Sequence, residues 1–164
     1  MTARSSAIAV LPVLWALLAC SGDDGPTGPA TGGMTPVTTD AEIVELVDLV
    51  NDHRSEAGCG QLAWHAGVAE VAQAHSQDMQ DRNFFSHTNP DGDSPFDRLA
   101  AAGIAWSMAG ENIAMGSGDG STAFQLWIDS PGHRANIENC GYTHHGVGLV
   151  VGRWTHVFLK DPVG

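Results

Sequence analysis

The apolar pattern of this chain changes period once, and that change limits what the chain can fold into. Ala41 to Arg54, AEIVELVDLVNDHR, sets Ile43, Val44, Val47 and Val50 on one stripe with Asp40 as N-cap, the pattern of an amphipathic helix. His65 to Asp81 repeats it with Val68, Val71, Ala72, His75 and Met79. Ser94 to Gly103 carries both its start and its stop: Ser94 as N-cap, Pro95 at the first helical position, Asp97 on the first turn and Gly103 as terminator. Ser121 to Ile128 reads as a fourth helix, ended by Ser130-Pro131-Gly132. Only towards the C-terminus does a strand pattern take over, where HGVGLVV and RWTHVFLK flank Gly152-Arg153 as a hairpin. One hairpin does not make a stable sheet, so Ile104 to Met108 and Ile113 to Met115 are expected to supply further strands. Helices first and an antiparallel sheet last predict an α+β layered domain.

The N-terminal part stands outside that domain. Arg4 precedes the apolar run Ala7 to Ala19, and the run ends in Leu17-Leu18-Ala19-Cys20, which resembles a bacterial lipobox. Residues 1–19 are therefore expected to be a lipoprotein signal peptide, with Cys20 lipidated as the mature first residue. An ordinary signal peptide or an uncleaved anchor is the alternative. A membrane span wants about 20 apolar residues, and Pro12 interrupts a run that is already short. Residues 20–39 add a tether rich in Gly, Pro and Thr, too poor in large apolar side chains to offset its ordering entropy. Residues 40–164 remain, a length that suits one domain with one core.

Charge narrows the partners. The whole chain carries a formal charge of −12 with neutral histidines, and losing Arg4 with the signal brings it to −13. Nucleic acid and anionic lipid headgroups are thus poor partners, and no nucleic acid is expected to bind; a monomer is expected. With Cys20 committed to lipid, Cys59 and Cys140 are left as a pair, which outside the cytoplasm reads as a disulfide. A metal-thiolate site is the alternative, without any C-x-x-C spacing to support it.

Six phrases in order give the chain a resemblance: AHSQDM (74–79), FFSHTNPDGDSPFDR (84–98), GENIAMG (110–116), LWIDSPGHRANI (126–137), GVGLV (146–150) and RWTHVF (153–158). Together they resemble the bacterial CAP-domain proteins, the SCP-like superfamily that includes cysteine-rich secretory proteins, venom allergens and plant pathogenesis-related proteins. The resemblance implies a three-layer α-β-α sandwich around an antiparallel sheet. It also implies an extracytoplasmic place, here anchored to the bacterial membrane through Cys20. Ser21 after that cysteine suggests the outer membrane if the cell is Gram-negative.

In eukaryotic members of the superfamily, two histidines and two glutamates line a cleft and can hold a divalent metal such as zinc. Carried over by motif, the first histidine is His87 of FSH and the first glutamate is Glu111 of GENI. The second glutamate falls at Ser130 beside Asp129, and the second histidine falls at Arg153 before Trp154-Thr155, so two positions have changed chemical type. His133, after the helix-breaking Pro131-Gly132, sits at the start of a short new helix and is the candidate to replace the missing histidine. The expected cleft set is therefore His87, Glu111, His133, Asn112 and Ser130, with His87, Glu111 and His133 as metal ligands if zinc or another divalent cation binds.

Each residue also has a plainer reading. His87 would cap the TNPDG turn, His75 would be a core histidine with one hydrogen bond, Asn112 a backbone clamp and Arg134 the partner of a carboxylate. His53, His65, His144, His145 and His156 match no ligand spacing, and His144-His145 reads as a solvated turn. Trp106, Trp127 and Trp154 read as core or cleft-wall aromatics. Three functions compete. The resemblance favours binding of a lipid, small hydrophobic molecule or peptide in the cleft. A metal-assisted hydrolase would use Glu111, His87 and His133 as its catalytic groups, although the chain has neither H-E-x-x-H nor G-x-S-x-G. A cell-envelope interaction module would instead use loops such as Thr88 to Asp93.

Overall fold

A computed structural model of the protein describes residues 41–116 and 118–161. The expected signal peptide, Cys20, the expected tether and the expected Asp40 cap lie outside the described residues. Among the described residues five helices and four strands follow one another as α1 (Ala41–Glu56), β1 (Ala63–Trp64), α2 (Ala66–Asp81), α3 (Pro95–Ala101), β2 (Met108–Met115), α4 (Gly120–Ile128), α5 (Pro131–Ile137), β3 (His144–Val150) and β4 (Arg153–Lys160). The strands form one sheet in the order β1-β3-β4-β2. All neighbours are antiparallel except the two-residue β1, which pairs parallel with β3.

Alternation along the strands builds two cores. Trp154 and Phe158 of β4, Val147 of β3 and Ala114 of β2 face α1, α4 and α5, where they meet Leu46, Val50, Trp127 and Ile137. Val157 and Leu159 face the other way, onto Val68, Val71 and Ala72 of α2 and Leu99 of α3. This is the α-β-α sandwich. On the α2 side the packing depends on Gly146 and Gly148, which share one face of β3. A Cβ at either would collide with the α2 backbone, at Ala69 and Val68 or at Ala72 and Gln73, so an added methyl would push helix from sheet.

Local chemistry places the ends. α3 has the full capping box, with Ser94 Oγ accepting from Asp97 N and the Asp97 carboxylate accepting from Ser94 N at 2.9 Å. α2 is capped by the Nδ1 of His65, which accepts from Val68 N at 3.2 Å, so His65 precedes the helix rather than opening it. α4 starts earlier than expected because Asp119 caps it through Thr122 N at 2.7 Å. Glu45 of α1 adds its carboxylate to the same end, accepting from Gly120 N and Ser121 N.

Two expectations about strands need correction. Ile104 to Ser107 forms no strand, because Ile104 N closes back on Leu99 O after α3 and its side chain joins the α2-side core; only Met108 of the expected stretch is in a strand, β2, which runs unbroken from Met108 to Met115. The hairpin turn lies one residue earlier than Gly152-Arg153. Arg153 already pairs with Val150, and Val151 and Gly152 form the turn with φ of 46° and 71°. Both in the left-handed region, they make the type I′ geometry that suits a two-residue hairpin, at a strain cost for the β-branched Val151.

Two devices fix the chain after α5 onto α1. Cys59 and Cys140 form the expected disulfide, closing a separation of 81 residues, worth about 4 kcal/mol in the loop-entropy model. Beside it the wholly buried Arg54 donates to four backbone carbonyls, of Gly60, Ile137, Asn139 and Tyr142, at 2.7–3.2 Å. Its cation is thus met by peptide dipoles rather than by a carboxylate. No helix among the described residues is long and apolar enough to cross a membrane.

Candidate functional site

β2 is an edge strand, and the site is built around that edge. Glu111 pairs with Val157 and so faces α2 and α3, with a side chain only 2% exposed. A carboxylate that dry must have partners. It has two: Oε1 accepts from His87 Nδ1 at 2.8 Å, and Oε2 accepts from Arg98 Nη2 at 2.7 Å. When neutral, His87 therefore carries its proton on Nδ1 and turns the lone pair of Nε2 outward, on a ring that is about half exposed. A buried carboxylate has oriented a reachable imidazole.

The supports of that pair explain its position. Arg98 comes from the capped helix α3, and its Nη1 also donates to the backbone oxygens of His87 and Asp93, so one guanidinium holds both the carboxylate and the loop. His75, buried on α2, donates from Nε2 to Ser86 O at 2.9 Å, fixing the residue before His87. Burial foremost, and the Arg98 charge behind it, lower the His75 pKa against the opposing pull of Glu111, the Ser86 carbonyl and Asp78. The rest of the loop is tied by Asn89, whose Oδ1 accepts from Asp91 N and Asp93 N, and by Arg82, which bridges Asp78 and Asp91. His87 is thus a partner of Glu111 and not the cap of the TNPDG turn.

His133 reaches the same neighbourhood from the other layer. It lies on α5, which Asn112 and Asn136 pin to β2: Asn112 Nδ2 donates to His133 O at 3.0 Å, and Asn136 Nδ2 donates to Asn112 Oδ1 at 2.8 Å. The pKa of His133 is lowered, first by burial and then by the nearby charge of His87. Its Nδ1 is buried and has no hydrogen-bond partner among the described residues, which leaves a polar atom for something else to satisfy. No hydrogen bond or ring contact among the described residues joins His133 to His87 or Glu111.

Other members of the expected set lie elsewhere. Asn112 is wholly buried with its amide spent on α5, so it supports the cleft and does not line it. Ser130 is the N-cap of α5, makes no cap bond with its side chain, and has no described bond to Glu111 or His87. Asp129 accepts from Gln125. Arg153 bonds Gln80 and Asn83 of α2 and the turn after it. It stands four strand positions from Val157, about 13 Å from the level of Glu111 at the usual rise.

The metal set of His87, Glu111 and His133 is accordingly not assembled. No group of three His, Cys, Asp or Glu among the described residues is placed to hold a metal ion. Glu111 already meets a guanidinium, and the remaining tetrad positions offer a hydroxyl and a second guanidinium. These donors do not fit a divalent cation.

Two features of this region escaped sequence reasoning. Arg98 was read only as part of a capped helix, since nothing in its spacing links it to a carboxylate in a later strand. The pair His145–His156 lies on the opposite face of the sheet, wholly buried, with His145 Nδ1 and His156 Nε2 3.0 Å apart. His145 is therefore no solvated turn residue; it is the second residue of β3, beside Trp64, while His156 packs on Trp127 and Phe158. Alternation in RWTHVF, with His156 between Trp154 and Phe158 at a spacing of two, was the signal for its burial.

This combination of an α-β-α sandwich with a glutamate-held histidine at the edge of its sheet defines a class, and comparison with known proteins agrees. The cysteine-rich secretory protein (CAP) family matches residues 47–158, and the chain belongs to that family. It is 39% identical over 139 residues to YkwD of Bacillus subtilis, covering 80% of this chain and 54% of that protein. It is 40% identical over 116 residues to the B. subtilis membrane protein YlbC, covering 71% of this chain and 34% of that one. Among solved structures, an extracellular SCP-domain protein from Bacillus anthracis superposes with a TM-score of 0.70 at 37% identity, over 77% of this chain and 45% of the other. The chain thus spans about half the length of YkwD and a third of YlbC. YlbC is described as a membrane protein and the B. anthracis protein as an extracellular one.

Proposed function

We propose that the protein is an extracytoplasmic CAP domain, anchored to the bacterial membrane through a lipidated Cys20, that captures a small hydrophobic, lipid or peptide ligand at His87 and His133. One observation carries this reading: a half-exposed imidazole, His87, is fixed by the buried Glu111, and Asn112, the next residue of the same strand, pins the backbone of His133. A ligand polar group would be met by the outward nitrogen of His87. Apolar contact is available from Phe85, two residues before His87, and from Phe96, two before Arg98 and stacked on Trp106; both phenylalanines are exposed. Exposed aromatics flanking oriented polar groups suit an amphiphile better than a fully polar ligand.

The test is equilibrium capture by the full chain of a fluorescent fatty alcohol and of a panel of hydrophobic peptides. His87→Ala and His133→Ala are each expected to weaken capture by up to about tenfold, the loss of one neutral hydrogen bond. Unchanged capture in both variants would remove the site from the function and leave the envelope interaction module.

A hydrolase is the second reading, favoured by the carboxylate–imidazole pair, which is the arrangement of a general base with an outward acceptor nitrogen. Ser86 is no ready nucleophile, because its Oγ accepts from Thr88 N and no described bond joins it to His87. Any hydrolysis would therefore use water activated at His87 Nε2. Ester or peptide turnover abolished by His87→Ala would support it.

A further inference from the structure

We infer that Arg98 supplies, from within the chain, the positive charge that Glu111 requires, and that the site consequently works without a metal, by hydrogen bonding alone. This deepens the proposed capture site and rests on that reading. Glu111 is too buried to remain an uncompensated anion, so a cation has to stand beside it. The nearest one is a guanidinium 2.7 Å from Oε2, itself only 12% exposed. Three acceptors fix it: Glu111, the His87 carbonyl and the Asp93 carbonyl. The short helix that carries it is locked by the Ser94–Asp97 capping box one residue earlier. Such an arginine has no rotamer to which it can retreat without stranding two carbonyls and a carboxylate.

The consequence for a metal is electrostatic. A divalent cation at Glu111 would sit beside a fixed positive charge in a dry environment, where like charges repel strongly. Glu111 Oε1 is meanwhile engaged by the N–H of His87, so the histidine presents a single outward nitrogen, suited to accept a hydrogen bond from a hydroxyl or amide. The ligand class follows: an amphiphile with an O–H or N–H donor in its head, held equally well with or without chelator. A metal-coordinating head such as a hydroxamate gains nothing from added zinc.

Two experiments on the full chain decide this. In the first, the protein is stripped with EDTA, exposed to excess zinc and desalted, and retained zinc is counted by mass spectrometry beside His87→Ala. We expect equal counts; about one zinc per chain, lost in His87→Ala, would overturn the inference. In the second, thermal unfolding is measured for Arg98→Met, Glu111→Gln and the double variant. Arg98→Met is expected to lower Tm by about 10 °C, and adding Glu111→Gln is expected to recover most of it, since the charge needing compensation is gone. Should Arg98→Met not fold, the double variant is expected to fold. Losses that simply add would overturn the inference. Capture of the fatty-alcohol probe only after zinc loading would overturn it as well while leaving capture itself intact; a chain that excludes zinc yet captures no probe fails the proposed function and not the charge assignment.

Discussion

The two faces of the sheet each hold a histidine against a polar partner, and they handle it in opposite ways. On the α2–α3 face, His87 meets a carboxylate whose charge Arg98 balances, and its ring is half open to solvent. On the α1–α4 face, His145 and His156 bond each other among Trp64, Trp127 and Phe158. The remaining ring nitrogens, His145 Nε2 and His156 Nδ1, are buried without hydrogen-bond partners among the described residues. One histidine is oriented for use, and the other two are sealed. The difference is one of counter-charge: Arg98 and Glu111 cancel, whereas the buried pair faces the cation of Arg54 and no carboxylate.

The largest effect should come from removing the counter-charge on the open face. Glu111→Ala leaves Arg98 buried without its anion, and breaking a buried ion pair from one side costs about 3–5 kcal/mol. Urea unfolding should show that loss, and a change under about 1 kcal/mol would mean that water reaches Arg98.

Acid should break the sealed face next. Burial above all, then Arg54 and His144, pushes the His145 pKa down to about 3; burial, then His145 and Arg54, pushes that of His156 well below 6.5. The unfolded chain takes up protons on both near pH 6.5 while the folded chain does not. Stability is therefore whole above about pH 6.5 and is lost as pH falls below it, by about 1.4 kcal/mol per pH unit for each histidine. For His145 the loss continues to about pH 3. Urea midpoints between pH 7 and 4 measure that slope, and His156→Phe should reduce it. An equal slope in His156→Phe would place the titration elsewhere.

The smallest effect on stability should be that of His87→Ala. Its ring is half exposed and its partner keeps Arg98, so a loss of about 1 kcal/mol or less is expected, together with weakened capture. A large loss of stability from this variant would erase the contrast between the two faces.

How much of this was legible in the sequence follows from the range of each interaction. Local signals were readable: the stripes of α1 and α2, the Ser94–Asp97 box, and the alternation of β3 and β4. Cys59 and Cys140 were readable because, once Cys20 is set aside, only those two cysteines remain. The pairing of His87 with Glu111 came from the motif resemblance, not from spacing. What stayed hidden depends on distant partners. Arg98 finds Glu111 across a helix and a strand, and Arg54 finds carbonyls more than eighty residues away. The two-residue β1 is too short to carry a period, and its place depends on β3 beside it. His145 was misread as turn because two adjacent histidines look polar, although in a strand only one of such a pair faces inward.

The most direct test is the protonation of the His87 ring, read by long-range nitrogen–proton NMR on the full chain above pH 7, with chelator and then with zinc. The expected spectrum shows a proton held on Nδ1 against Glu111 and is unchanged by zinc. A bare Nδ1, or His87 signals displaced stoichiometrically by zinc, would contradict a site held by Glu111 and balanced by Arg98.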